Sequence, residues 1–222
     1  MESASKESIQ FRRATPSDMG KDVAWLTSEA WPMPEKIGPA SDASSLVSAY
    51  VEQAVAQSDW LELACVSGEV VGVLFGRIVG RGQTTVGWMT HALKIVGKTL
   101  LRGYGRLDRP VAVLWRFLLT ELKVAINRPR SGAEITLLIV SSKHRRKGVG
   151  RGLVERFVKA ASEQGCHLVY VYTDDVTSDY EFYLESGFSK YSTFIDHWSS
   201  YYSGERSMGI VYCLELKPPA RH

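Results

Sequence analysis

The sequence predicts an α/β protein, an α+β arrangement in which helices cover a mixed sheet, and three stretches carry that prediction. The run from 134 to 173 reads strand, helix, strand, which implies a parallel pair joined by a right-handed crossover. Two β-rich runs, Leu61–Val66 and Val70–Val79, flank Ser67-Gly68-Glu69, a hairpin signal that makes neighbouring strands antiparallel. Two further strand patterns, Phe188–Phe194 and Gly209–Leu216, follow near the C-terminus.

Taken in order, Ile9–Ala14 is a short strand, and Thr15, Ser17 and Asp18 supply helix-start side chains. Val23, Leu26 and Ala30 then keep helical spacing up to a break at Trp31-Pro32-Met33-Pro34. A second helix is predicted from about Asp42 to Ala56, on Leu46, Ala49, Tyr50 and Ala54. After the hairpin, residues 81–131 hold two amphipathic helices, near Gly87–Leu101 and Asp108–Ala125, with Pro110 suited to a first helical turn. The run Glu134–Val140, EITLLIV, is apolar after its first residue, as in a strand covered on both faces. A helix from about Gly148 to Glu163, a strand over His167–Thr173 and a short helix at Asp179–Glu185, stopped by Gly187, come next. The expectation is a single domain over 1–222, with 81–131 a helical insert between the third and fourth strands.

Composition narrows the function classes. At 222 residues the chain suffices for one sizeable core and is short for two. A net charge of +3 is too mild to argue for a nucleic-acid partner. Cys65, Cys166 and Cys213 lie far apart without CxxC spacing, which fits buried thiols in a reducing compartment. No His/Cys/Asp cluster has metal-ligand spacing, so no metal is expected. The N-terminal MESASKESIQFRRATPSD has no apolar core of a secretory leader, and no run of about 18 apolar residues suggests a spanning helix. The cytoplasm is the expected location.

The most informative stretch runs from Val140 to Leu153, VSSKHRRKGVGRGL. It leaves a buried strand, turns through polar residues and enters a helix at two glycines spaced by one. Glycines there let backbone approach a ligand, and the amides and dipole of a helix start favour an anion. Lys143, Arg145, Arg146 and Lys147 add charge suited to a pyrophosphate. The plainer reading is a helix start that is merely basic. A P-loop has no support, since GxxxxGK followed by Ser or Thr is absent, and the glycines are wrongly spaced for a dinucleotide fold.

These residues resemble the GNAT superfamily of N-acetyltransferases. The family's acetyl-CoA signature, Gln/Arg-x-x-Gly-x-Gly/Ala after the fourth strand, is matched by Arg145, Arg146, Lys147, Gly148, Val149 and Gly150. Downstream, YEFYLESGF from Tyr180 to Phe188 resembles the family's FYexxGF box. The FRRATPSD start, the GEVVGVLFG hairpin and the terminal strand pair fit the same order. The resemblance implies the acyl-CoA N-acyltransferase fold, and acetyl transfer from acetyl-CoA to a primary amine of a small molecule or protein. It implies that amides across Arg145–Gly150, with Arg151 next to them, hold the pyrophosphate. It further implies that Leu138, Ile139 and Val140 pair with the pantetheine arm, and that Tyr183 lies near the sulfur. Many members carry an asparagine where this chain has Ser178 and Asp179, which makes Asp179 the candidate contact on that side. That departure and the long insert sustain an alternative, a catalytically silent CoA-binding regulatory module.

Acetyl transfer needs an unprotonated amine, a polarised thioester carbonyl and a proton for the leaving thiolate. The main-chain amide near Val140 is the family's donor to the carbonyl. Tyr183 is the candidate acid, or else an aromatic packed under the cofactor. Ala133–Ser142, AEITLLIVSS, resembles the histone-type members, whose glutamate at the position of Glu134 is the base. Apolar neighbours around that carboxylate would raise its pKa. A strand-start glutamate beside Gly132 is the other reading, and both stay open. Asp174 and Asp175, at the end of the next strand, are alternates. His197, Trp198, Tyr201 and Tyr202 line an acceptor site or belong to a surface loop, and His91 reads as a helix-surface residue.

The insert carries ten basic residues, Arg81 to Arg130, against Asp108 and Glu121. Its apolar positions, Leu93, Val96, Leu100, Val113, Phe117 and Leu122 among them, face one side. Packing on the domain or across a homodimer is preferred over an anionic membrane surface or acidic partner. The charge also points mildly to an acidic acceptor.

Overall fold

The structure, a computed structural model, describes residues 8–15, 18, 22–30, 51–78, 108–176 and 178–217. Its strands are β1 (Gln10–Arg13), β2 (Trp60–Val66), β3 (Glu69–Arg77), β4 (Ala133–Val140), β5 (Leu168–Asp174), β6 (Ser189–Asp196) and β7 (Ser207–Glu215). They form one sheet in the order β1-β2-β3-β4-β5-β7-β6. Five helices are named here: α1 (Asp22–Ala30), α2 (Asp108–Asn127), α3 (Val149–Glu163), α4 (Glu181–Glu185) and α5 (His197–Ser203). Residues 51–56 are also helical, the described end of the second helix expected from sequence. Residues 42–50, the break at 31–34, the first insert helix near 87–101 and His91 lie outside the described residues.

The sheet is mixed, as expected. Every neighbouring pair is antiparallel except β4 and β5, which are parallel and joined through α3. The β2–β3 hairpin turns on Ser67 and Gly68, with φ of +51° and +87°. Two left-handed residues match the twist of the flanking strands.

Each sheet face has its own core. On one, Val149, Leu153 and Phe157 of α3 are buried against Leu74, Ile135 and Val171. Each such side chain contributes about 1.5–3 kcal/mol of burial. On the other, Val23 and Leu26 of α1 meet Leu63, Phe75, Leu137 and Ile139. Farther along that second face, Val124 of α2 packs with Tyr170, Phe194 and Val211. The second half of the insert is therefore a helix on the sheet, but its packed line is Phe117, Thr120 and Val124. Leu122, expected on the same apolar side as Phe117, is exposed because at 3.6 residues per turn it falls on the opposite face.

One expectation needs correction. The residues between the last two strands, read either as lining an acceptor site or as a surface loop, form a helix, α5, rather than a loop. Asp196 caps it by accepting a hydrogen bond from the Ser199 amide at 2.9 Å, and Gly204 ends it at φ +86°. Trp198 sits among Phe117 of α2, Tyr201 and Tyr202, with centroids 6.2–6.5 Å apart.

Candidate active site

The loop after β4 is shaped before it reaches the helix. The Ser141 amide donates to Val71 O at 2.9 Å, and the His144 amide to Ser141 O at 2.9 Å, which closes a short turn over Ser142–His144. Arg145 is extended, whereas Arg146 and Gly148 take φ of +60° and +86°. Left-handed residues in such a loop curve its amides into a concavity suited to an anion. The first bond of α3 runs from the Gly152 amide to Gly148 O at 2.9 Å. The amides of Val149, Gly150 and Arg151 precede that ladder, and the first turn holds no acidic residue. Lys143, Arg145, Arg146, Lys147 and Arg151 are exposed around it. The Arg145 guanidinium also donates to Val140 O at 3.4 Å.

Glu29 of α1 fixes this loop from across the sheet. Its carboxylate accepts from the Ser142 hydroxyl at 2.5 Å and from the Ser142 amide at 3.1 Å. The Ser142 hydroxyl is the main reason its pKa lies below the ordinary value, against an opposing push from burial, with the Arg145 charge assisting. Nothing local in the sequence marks Glu29 as a partner of a loop 113 residues away.

The cleft beside the loop comes from a one-residue irregularity. Across β3, Phe75 faces Leu137 while Gly76 faces Ile135, so Thr136 is an extra residue, a β-bulge. The bulge reverses the alternation of β4. Ala133 and Ile135 enter the α3-side core, whereas Leu137 and Ile139 enter the α1-side core. Pairing of β4 with β5 covers only Ala133–Ile135 opposite Val169–Val171, and β4 then runs on to Val140. The edge at Leu138, Ile139 and Val140 therefore faces the gap between the parted strands.

Gly150 of α3 borders the same gap. A Cβ placed there would lie 3.4 Å from the Phe182 ring and 3.5 Å from Val140 Cγ2. Three elements thus converge, the end of β4, the glycine face of α3 and Phe182 of α4. Phe182 is a wall residue that the sequence reading left unnamed, although it adjoins Tyr183 in the same box.

The other expected residues are placed as follows. Tyr183 is buried, stacked on Tyr212 at 6.1 Å and edge-on to Phe182 and Phe188. Asp179 is exposed, and its carbonyl accepts the Phe182 amide at 3.3 Å. Asp174 accepts from the Val176 amide at 3.0 Å and the Ser178 hydroxyl at 3.2 Å. Asp175 accepts from the Met208 amide at 2.8 Å and the Ser207 hydroxyl at 3.1 Å. Both carboxylates fix the strand end.

Glu134 lies at the closed end of the cleft, on the face covered by α2. Arg77 pairs with it, Arg128 approaches to 3.5 Å and the Tyr170 hydroxyl donates to it at 3.0 Å. The apolar surroundings expected for it are replaced by two guanidinium groups and a phenol. Burial, then the Glu134 charge, pushes the Tyr170 pKa up to about 12. No group of His, Cys, Asp and Glu suited to a metal occurs among the described residues. Among them, too, no helix is long and apolar enough to cross a membrane.

The sequence pattern described as Acetyltransferase (GNAT) family matches residues 22–188, more than half of the chain. No curated protein matches this chain. Among solved structures, a GNAT-family acetyltransferase from Desulfovibrio desulfuricans, described as putative, is 14% identical with a TM-score of 0.55, covering 94% of this chain and 99% of its own. The ribosomal-protein-S18-alanine N-acetyltransferase of Escherichia coli is 13% identical with a TM-score of 0.54, covering 97% and 99%. An agmatine N-acetyltransferase variant in its apo form is 15% identical with a TM-score of 0.58, covering 94% and 99%. At these identities the likeness concerns the fold.

Proposed function

The chain belongs to the GNAT acetyltransferase family, and from that premise we propose that it moves an acetyl group from acetyl-CoA to a primary amine. The observation that carries the reading is the parting of β4 from β5 at the Thr136 bulge, directly beside a glycine-lined helix start. The gap bordered by Gly150, Phe182 and Val140 suits a slender pantetheine arm. The solved relatives named for agmatine and for an S18 alanine favour an amine nitrogen as acceptor. We read residues 1–222 as one domain working in the cytoplasm.

In this proposal the amides and cations of Arg145–Arg151 bind the pyrophosphate, and the edge Leu138–Val140 hydrogen-bonds the pantetheine amides. Asp179 is the candidate polar contact opposite. The bound acetyl-CoA supplies an activated thioester. The amide near Val140 stabilises negative charge that develops on the carbonyl oxygen. Tyr183 donates a proton toward the departing sulfur. Asp174 and Asp175 are engaged in turns and Glu134 in two ion pairs, so water in the cleft is the proposed first acceptor of the amine proton. Glu134 then positions β4 against β5 and α2, and takes part in proton removal only with an arginine displaced.

The test is thiol release from acetyl-CoA over a panel holding a polyamine, an arylalkylamine, a lysine peptide and a peptide with a free N-terminus. Turnover with one class, lost in Tyr183→Phe while acetyl-CoA affinity is kept, supports the proposal. Binding without turnover across the panel identifies the silent CoA-binding module instead. Absence of both defeats the reading.

A further inference from the structure

We propose that the outward face of α2 docks on an anionic lipid surface. The helix is held to the sheet along one line. Thr120 and Val124 are 2% and 7% exposed, the Thr120 hydroxyl donates to Asp196 at 2.8 Å, and Phe117 meets Trp198 edge-on. Trp115, Leu122 and Ile126, in contrast, are 60%, 55% and 70% exposed. At 3.6 residues per turn these three share a single stripe, flanked by half-buried Leu118 and Leu119, on the side of the helix opposite Thr120 and Val124. A helix that only covers a sheet carries polar residues there. This one is apolar twice over.

Charge selects the occupant. Residues 108–130, the helix and its end, carry five Lys and Arg against Asp108 and Glu121, a net +3. Exposed Lys123 borders the stripe, and exposed Arg130 follows the helix. An apolar stripe with a tryptophan and flanking cations suits the boundary between acyl chains and acidic headgroups. A second copy fits less well. Antiparallel pairing about a two-fold axis brings the Arg116–Lys123 flank of one helix against the same flank of the other. Five side chains also fall short of the about 800 Å² per partner that stable pairs bury. The proposal does not rest on the acetyltransferase reading, and its readout is independent of acetyl-CoA.

The experiment is flotation of the full chain with vesicles of equal phosphatidylcholine and phosphatidylserine, against vesicles of phosphatidylcholine alone. The expected result is binding to the anionic vesicles, weakened roughly tenfold on the neutral ones and in Leu122→Glu/Ile126→Glu. Circular dichroism checks the fold of the variant. If the double variant does not fold, Lys123→Glu, at an exposed position, is the replacement and weakens binding in the same direction. Quenching of tryptophan emission by brominated lipid should be smaller in Trp115→Phe than in wild type. No binding by folded wild type, or binding that both charge variants leave unchanged, overturns the proposal. So does a concentration-dependent dimer that Leu122→Glu/Ile126→Glu abolishes in the absence of vesicle binding, which assigns the stripe to a second copy.

Discussion

Alanine at Gly148 and alanine at Gly150 should have opposite consequences, although the two sites are two residues apart. Gly148 has φ +86°, and a Cβ there meets nothing within 4 Å. Its penalty is therefore one of backbone conformation alone, about 1–2 kcal/mol for a left-handed alanine. A smaller gain of about 0.4–1 kcal/mol from the stiffer unfolded chain opposes it. Gly148→Ala should lose about 1 kcal/mol net, or 2–4 °C in Tm for a chain of this size. Gly150 lies inside the first turn of α3, where alanine favours the helix by up to about 1 kcal/mol. Its Cβ meets Phe182 and Val140 at ordinary contact distances of 3.4–3.5 Å, so Gly150→Ala should melt at or above the wild-type temperature. Alanine is also the residue the acetyl-CoA signature allows at this position, so Gly150→Ala should keep acetyl-CoA affinity. Gly150→Glu instead puts a long anionic side chain beside the proposed pyrophosphate cradle. One charge-assisted hydrogen bond forfeited there, about 1.5–3 kcal/mol, weakens acetyl-CoA at least tenfold. Thermal melts and calorimetric titrations of the three variants read the two effects separately. Wild-type affinity in Gly150→Glu would refute the placement of the slot, and an unchanged melt in Gly148→Ala would refute the backbone argument.

Asp196→Ala strips a buried acceptor from the Tyr172 and Thr120 hydroxyls and the Ser199 amide, and should cost about 3–5 kcal/mol in urea unfolding. Asp196→Asn, which keeps one oxygen, should cost about 1–2 kcal/mol, and equal losses would contradict the network. Gly76→Ala puts a Cβ 2.4 Å from the Phe157 ring and should cost about 1–3 kcal/mol. Phe157→Leu in the same chain should recover part of that, and strict additivity would count against the contact. The Arg12 guanidinium holds Asp18 well below the usual carboxylate range, and Ser142 lowers Glu29. A depressed folded pKa contributes stability above the unfolded value near pH 4 that is lost as pH falls through the folded one. Urea midpoints should therefore drop below about pH 4, and Asp18→Asn should be less stable at neutral pH with a shallower acid dependence. An identical acid profile in that variant would count against the pair.

The sequence exposed what is written in short runs. Glycines and cations from Lys143 to Gly150 mark the helix start because turn geometry and charge are local. In contrast, α2 was legible as a helix but not in its packed face, since it is apolar on two sides and Thr120, a polar residue, lies on the buried one while Leu122 is exposed. The Thr136 bulge was not legible. EITLLIV is apolar on both faces, so a slip of one residue disturbs no alternation, yet it opens the cleft. Glu29 was hidden by distance along the chain. α5 was hidden by its seven residues, too few for a period, although Asp196 and Gly204 are ordinary end signals. The surroundings of Glu134 depend on Arg77, Arg128 and Tyr170, from three separate segments that meet only once the sheet is ordered.

The most direct test is hydrogen exchange of the backbone amides, read by mass spectrometry with and without acetyl-CoA. The account predicts slowed exchange in two stretches, Leu138–Val140 on the parted strand and Arg145–Arg151 at the start of α3, with the β1–β2 pair unaffected. Bound acetyl-CoA that leaves both stretches unchanged, or protects another part of the sheet, would contradict it.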